Sequence, residues 1–323
     1  MRSLITGGAG FIGSHLVEEL LRRGDDVCVI DDLSTGDVAN LAAVAHLPKF
    51  RLVVGSCADA SVMEELVSQC DRIFHLAAVV GVKLVLESAV RTIETNVRTT
   101  DTVLAMAARA RSPVVIASTS EVYGKNEHTP FREDSDLVLG ATTKGRWSYA
   151  CVKALAELHA LAYWHEQRVP VVIARLFNTV GPRQVGRYGM VVPTFVRQAL
   201  AGEPITIYGD GSQSRCFSHV RDVVEALIGL LGSPRHYGEI YNIGSTREIR
   251  IVDLARQVRE MTGHRSELAF VSHAEAYGAD ACDFSRRVPD VGKIERALGW
   301  SARLDLAQIL EDVIAHVRLV GVR

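Results

Sequence analysis

The sequence predicts an α/β fold, a doubly wound parallel sheet followed by a smaller C-terminal domain. Three observations carry that expectation. Short apolar runs suited to buried strands alternate with helical patterns over the first half of the chain. The first of these runs passes through a glycine-rich turn directly into a helix. Beyond about residue 180 the pattern breaks into shorter pieces punctuated by turns such as Gly202-Glu203-Pro204 and Gly209-Asp210-Gly211-Ser212. Some of these later pieces are expected to return to the sheet.

Ser3–Thr6 reads as the first strand. It runs into Gly7-Gly8-Ala9-Gly10-Phe11-Ile12-Gly13, and a helical pattern starts at Ser14. Gly8, Gly10 and Gly13 satisfy G-x-G-x-x-G, and Gly7, Gly10 and Gly13 equally satisfy G-x-x-G-x-x-G. Without side chains the turn can be tight, and its backbone can approach a pyrophosphate at the helix N-terminus. The second strand, Val27–Ile30, ends on Asp31. A carboxylate there can accept from an adenosine ribose and would repel a 2′-phosphate, which argues for NAD over NADP. Leu52–Gly55 reads as a third strand and Ile73–Ala78 as a fourth, whose small terminal residues leave room for a diphosphate. His75 reads equally well as a ligand contact or as a satisfied histidine at a strand end. A long helix is predicted from Val90 to Ala110. Val114–Ala117 is a fifth strand feeding Ser118–Gly124, and Val171–Arg175 is a sixth. Ligands of such sheets bind beyond the carboxyl ends of the strands, where Ser118–Glu121 falls.

Tyr149 and Lys153 lie four apart in a run rich in helix formers, so they share one helical face. A lysine ammonium near a phenol favours the phenolate, which makes Tyr149 a candidate base toward a sugar hydroxyl. The plain alternative is an exposed tyrosine beside an exposed lysine, and the hydride acceptor implied by the glycine turn is what weighs against it.

The net charge of −2 leaves no general attraction to nucleic acid or to an anionic membrane. No apolar run reaches the ~20 residues of a membrane span. The chain opens on the strand-like run Arg2–Ile5, and no leader peptide is expected. Cys28, Cys57, Cys70, Cys151, Cys216 and Cys282 are scattered without metal-like spacing. They read as core or pocket residues of a reducing compartment, the cytoplasm, and no metal is expected.

With these motifs in hand, the chain resembles the extended short-chain dehydrogenase/reductase family acting on nucleotide sugars, a Rossmann-fold family, from Ser3 to about Trp300. Later segments share the resemblance: Asn178–Pro182, Tyr208-Gly209, Arg215-x-Phe-x-His219-Val-x-Asp222 and Asn242-Ile-Gly244. It implies an NAD-binding domain over residues 1–180 and a mainly nucleotide-sugar-binding domain over 181–323. The cofactor would meet Gly7, Gly10, Phe11, Ile12, Gly13, Asp31, Asp32, Ser34, Thr35, Gly36, Ser56, Cys57, Leu76, Ala77, Ala78, Tyr149 and Lys153. Gly55-Ser56-Cys57 departs from the family's Gly-Asp at this point, which weakens Ser56 as an adenine contact. Tyr149 would be the base, Lys153 would bind the nicotinamide ribose, and Thr119 would hydrogen-bond the hydroxyl being oxidised. Arg146, Asn178, Val192, Tyr208, Arg215 and Arg287 would contact substrate.

Within the family, Ser118-Thr119-Ser120-Glu121-Val122-Tyr123-Gly124 looks most like the UDP-glucuronate decarboxylases. The 4,6-dehydratases carry Asp-Glu after the threonine, and here that aspartate is Ser120. Glu121, Ser120 and Arg287 therefore join Thr119, Tyr149 and Lys153 as catalytic candidates. Surface placement of Arg146, and a solvated Arg286/Arg287 pair, are the plain alternatives. A UDP-glucuronate 4-epimerase and a non-catalytic NAD sensor are the competing functions. The resemblance also implies a homodimer, formed through the long helix and the Tyr149 helix, with Val103, Ala107, Leu155 and Leu161 as candidate partner-facing residues.

Overall fold

The computed structural model describes the whole chain except residues 82–87, 187–188, 273–274, 276–285 and 322–323. Its first half alternates strictly: β1 (Arg2–Thr6), α1 (Phe11–Arg22), β2 (Asp26–Asp31), β3 (Phe50–Val54), α2 (Ala60–Ser68), β4 (Arg72–His75), α3 (Ala89–Ala110), β5 (Val114–Thr119), α4 (Trp147–Gln167) and β6 (Val171–Leu176), with β2 and β3 joined through a short 3-10 turn at Val38–Leu41. There follow β7 (Thr179–Val180), α5 (Val191–Leu200), β8 (Ile205–Tyr208), β9 (Ser214–Cys216), β10 (Ser218–His219), α6 (Val220–Leu230), β11 (Glu239–Ile243), β12 (Glu248–Arg250), α7 (Ile251–Thr262), β13 (Leu268–Val271), α8 (Gly292–Leu298) and α9 (Leu306–Val320).

Seven strands form one sheet in the order β11-β6-β5-β4-β1-β2-β3, and every pairing in it is parallel. The order reverses beside β1, so a crevice opens at the carboxyl ends of β1 and β4. Successive side chains of a strand point to opposite faces. Ile5, Phe74 and Val115 accordingly join α1 and α6 in one core layer. Leu4, Ile73 and Val114 join α2, α3 and α4 in the other. Each such fully buried aliphatic or aromatic side chain contributes roughly 1.5–3 kcal/mol over leaving it in water. The expected return to the sheet is made by β11, which pairs with β6, and by α6 and α8, which pack on the first layer. A third core gathers α5, β8, α7 and α9 around Phe195, Ile207, Leu254 and Leu310.

Two expectations change. The fourth strand stops at His75 rather than Ala78. Beyond it the backbone leaves the ladder to cross the glycine turn, with Ala77 N donating to Thr6 Oγ1 at 3.2 Å. Val103 and Ala107 are fully buried in the second layer and Leu161 packs against it, so of the four residues assigned to a partner only Leu155 is exposed. The helices are apolar on two faces. The outward apolar residues are Val90, Ile93 and Val97 on α3 and Leu155 and Leu158 on α4. Among the described residues no helix is long and apolar enough to cross a membrane, no acidic, cysteine and histidine cluster suits a metal, and five cysteines are free thiols. Cys282 lies outside the described residues.

His75 proves to be the satisfied histidine. It is buried, with Nδ1 2.8 Å from Thr6 Oγ1 and Nε2 3.2 Å from Thr100 Oγ1. Burial, aided by the Lys153 charge, pushes its pKa down to about 3. The folded protein thus keeps His75 neutral where the unfolded chain protonates it, so stability is lost as pH falls from 6.5 toward 3. One such histidine adds up to about 1.4 kcal/mol per pH unit to the slope. Urea titrations between pH 7 and 5 should show a flatter pH dependence for His75→Asn than for the wild type; equal slopes would contradict this account of His75.

Candidate active site

At the carboxyl ends of the strands lies a cleft of about 1950 Å³. Every residue assigned above to catalysis, cofactor or substrate lines it, from Gly7 on the first turn to Arg287 near the end of the chain.

The glycine turn is built for close approach. Gly7 has φ +74°, and a Cβ there would lie 2.7 Å from Ala77 N. A Cβ on Gly13 would collide with the Gly7 carbonyl. The N-cap of α1 is Gly10, which offers no side-chain acceptor, so the first amides of the helix are open to an anionic group in the cleft. Asp31 is buried at the cleft wall, with Oδ2 accepting from Ala9 N at 2.8 Å and Oδ1 from Leu33 N at 2.9 Å. Burial raises its pKa even against these two bonds. Asp31 therefore fixes the glycine turn as well as facing the cleft. Ser56 is exposed at the cleft edge, and its Oγ accepts from Ala58 N at 3.2 Å. These features fit a dinucleotide: a side-chain-free cradle for the diphosphate and an acid at the ribose position.

Facing the cradle is the end of β5. Thr119 Oγ1 accepts from Glu121 N at 3.2 Å, which starts the tight turn Ser120–Tyr123 and carries Glu121 into the cleft. Ser120 is buried beside it. Glu121 meets two arginines from distant segments: Arg287 Nη1 donates to Oε1 at 2.5 Å, and Arg146 Nη2 lies 3.7 Å from Oε2. Burial alone would raise the Glu121 pKa, but Arg287, Arg146 and Arg215 together outweigh it and hold the carboxyl below its usual range. Arg287 is buried, whereas Arg286 is exposed and paired with Glu248 at 2.8 Å, so the two neighbours do different things. Arg146 likewise turns inward, its side chain only 12% exposed. Among the described residues three guanidinium groups face this carboxylate, an arrangement suited to an anionic substrate.

Tyr149 and Lys153 share the inner face of α4. Thr119 hydrogen-bonds the Tyr149 phenol, but burial and the nearby Glu121 charge push its pKa above the ordinary tyrosine value. Lys153 Nζ donates to the Ala117 carbonyl at 2.8 Å, and burial pushes its pKa down to about 8, with Glu157 pulling the other way. The expected lowering of Tyr149 by Lys153 is not seen: only the Thr119 hydrogen bond lowers it, and burial and the Glu121 charge prevail.

Asn178, with φ +26°, ties the end of β6 to β9 by donating to the Cys216 carbonyl at 2.9 Å. Val192, Tyr208 and Arg215 line the far wall. The sequence reading missed Arg183, Gln184 and His316, which also line the cleft. Arg183 and Gln184 directly follow the Gly181-Pro182 turn, a signal that could have flagged them. His316 reaches the cleft from α9 with no local signal.

The sequence profile of the family described as GDP-mannose 4,6 dehydratase matches residues 4–313. The UDP-N-acetyl-alpha-D-glucosaminuronate decarboxylase of Bacillus cytotoxicus is 41% identical over 98% of both chains. UDP-glucuronic acid decarboxylase 1 of Xenopus tropicalis is 36% identical over 98% of this chain and 72% of its own. Among solved structures, DesIV, a dTDP-glucose 4,6-dehydratase from Streptomyces venezuelae with NAD and TYD bound, superposes with a TM-score of 0.89 at 34% identity, covering 99% of this chain and 97% of its own. Taken with the parallel sheet, the glycine turn and the paired Tyr149 and Lys153, these matches mean that the chain belongs to the GDP-mannose 4,6 dehydratase family of extended short-chain dehydrogenase/reductase proteins.

Proposed function

We propose that this protein is an NAD-dependent decarboxylase of UDP-glucuronate, working through a 4-keto sugar and giving UDP-xylose, UDP-4-keto-xylose or both. The observation that carries the reading is Glu121, held as a carboxylate by Arg287 and Arg146 next to Tyr149 and Thr119. A 4,6-dehydratase needs an acid with a proton to give to the departing C6 hydroxyl. Ser120 stands where that acid would be, and Glu121 is ionised, so the site supports loss of CO2 rather than of water. The named relatives point the same way.

In this reading the glycine turn and Asp31 hold NAD, which supplies the hydride acceptor for C4. Thr119 orients the C4 hydroxyl and Tyr149 takes its proton. Lys153 would hold the cofactor's ribose, and the oxidised cofactor would supply a cation to offset the burial that raises the Tyr149 pKa. The C4 ketone lies β to the C5 carboxylate, so CO2 can leave with its electrons delocalised into the carbonyl. Glu121 disfavours a second carboxylate beside it, and Arg287 exchanges between Glu121 and the substrate anion. The C5 carbanion left by CO2 then takes its proton from water at this site, because an ionised Glu121 has none to give and Arg287 keeps its own. Asn178 and Arg215 take the diphosphate, while Val192 and Tyr208 bound the nucleotide. We read residues 1–180 as the NAD-binding part and 181–323 as mainly the nucleotide-sugar part. The free thiols favour a cytoplasmic protein, and the outward apolar stripe on α3 and α4 favours a homodimer built on those helices.

A second substrate, the 2-acetamido uronate, is favoured by the identity of 41% with the Bacillus cytotoxicus enzyme. A 4-epimerase would use the same Tyr149 and Lys153 but release no CO2, so CO2 from UDP-glucuronate separates these readings.

Two variants test the roles. Asp31→Ala should weaken NAD binding at least ~10-fold in calorimetric titration while leaving UDP affinity near wild type, because a ribose-binding carboxylate is worth more than a neutral hydrogen bond. Unchanged NAD affinity would reassign Asp31 to the loop alone. Glu121→Ala should still form NADH from UDP-glucuronate in a single turnover but release CO2 at least ~10²-fold more slowly. Tyr149→Phe should form no NADH at all. Equal slowing of NADH and CO2 signals in Glu121→Ala would make Glu121 a structural acid.

A further inference from the structure

Behind the site lies a buried polar cluster that the reaction above does not use. Ser118, Tyr123, Glu157, Arg175 and Asn242 are all at most 5% exposed. Ser118 Oγ donates to Glu157 Oε1 at 2.5 Å, and Arg175 clamps the same carboxylate, with Nη2 2.7 Å from Oε2. Arg175 Nη1 donates to Tyr123 Oη at 2.9 Å, and its guanidinium stacks 4.8 Å from the centre of that ring. Tyr123 donates to Asn242 Oδ1 at 2.7 Å, and Asn242 Nδ2 donates to the carbonyls of Phe131 and Asp290. Phe131 in turn pairs with Val288 and Asp290, which directly follow Arg287 in the chain. One continuous set of bonds therefore joins β5 before Thr119, the turn after Glu121, the Tyr149 helix and the Arg287 segment. Its central carboxylate stands one helical turn beyond Lys153.

We infer that Glu157 is a positioning residue for the reaction: clamped by Arg175, it fixes Ser118 at the end of β5 and places a negative charge beside Lys153. The inference rests on the assignment of Tyr149 and Lys153 given under the proposed function. Among the described residues, these groups bear on Lys153. His75 on β4 is neutral, β5 presents the Ala117 carbonyl, Tyr149 and Glu157 lie on its own helix, and Arg175 on β6 acts through Glu157. Removing the Glu157 charge lets Lys153 lose its proton at lower pH.

The test is the pH profile of kcat for CO2 release from UDP-glucuronate. Glu157→Gln keeps the shape and removes the charge. It should lower kcat about 10-fold and move the alkaline limb about one pH unit down, with KM near wild type. Ser118→Ala keeps the charge and removes one bond, and it should lower kcat several-fold with the limb unmoved. An alkaline limb unmoved in Glu157→Gln would overturn the inference, even with a lower melting temperature, because a purely structural role changes stability alone. Should Glu157→Gln not fold, Ser118→Ala decides: a wild-type kcat overturns the inference and a lowered one supports it. Wild-type protein that releases no CO2 would instead overturn the functional reading, and the inference with it.

Discussion

The cleft depends on one partly buried ion cluster, Glu121 between Arg287 and Arg146. It draws together a strand-end turn, the start of a helix and a segment near the C-terminus. A carboxylate taken out of water stays ionised only where matched charges replace its hydration. The same cluster sets the chemistry. An ionised Glu121 is no proton donor for dehydration, and its arginines offer a substrate anion a place to bind. The arginines that hold Glu121 charged are thus also the ones that the proposed substrate anion would meet.

Burial creates a tension between the two residues on α4. It raises the Tyr149 phenol and lowers the Lys153 ammonium to about 8, so burial moves both toward their neutral forms. The catalytic reading needs both in their charged forms. Glu157 offsets the burial of Lys153, and a cation beside the phenol would offset that of Tyr149.

Much of this was legible in the sequence because the informative residues cluster at strand ends. The glycine turn, Asp31, Thr119–Glu121 and the spacing of Tyr149 and Lys153 are local patterns, and they line one cleft. What was not legible is tertiary. Val103 and Ala107 fit either face of a helix that is apolar on two sides, and only packing shows them under the sheet. The raised Tyr149 follows from burial, which a four-residue spacing does not reveal. Glu157 and Arg175 sit on different elements, and nothing local marks them as partners. His316 enters the cleft only because α9 folds back on α5 in the third core.

The most direct measurement of the central claim is turnover of UDP-glucuronate in D2O, with the nucleotide-sugar product and CO2 followed together by NMR and mass spectrometry. The expected result is stoichiometric CO2 and a pentose product with solvent deuterium at C5, as protonation of that carbon from water after loss of CO2 requires. A hexuronate product that keeps its carboxylate, has inverted configuration at C4 and carries no deuterium at C5 would contradict it.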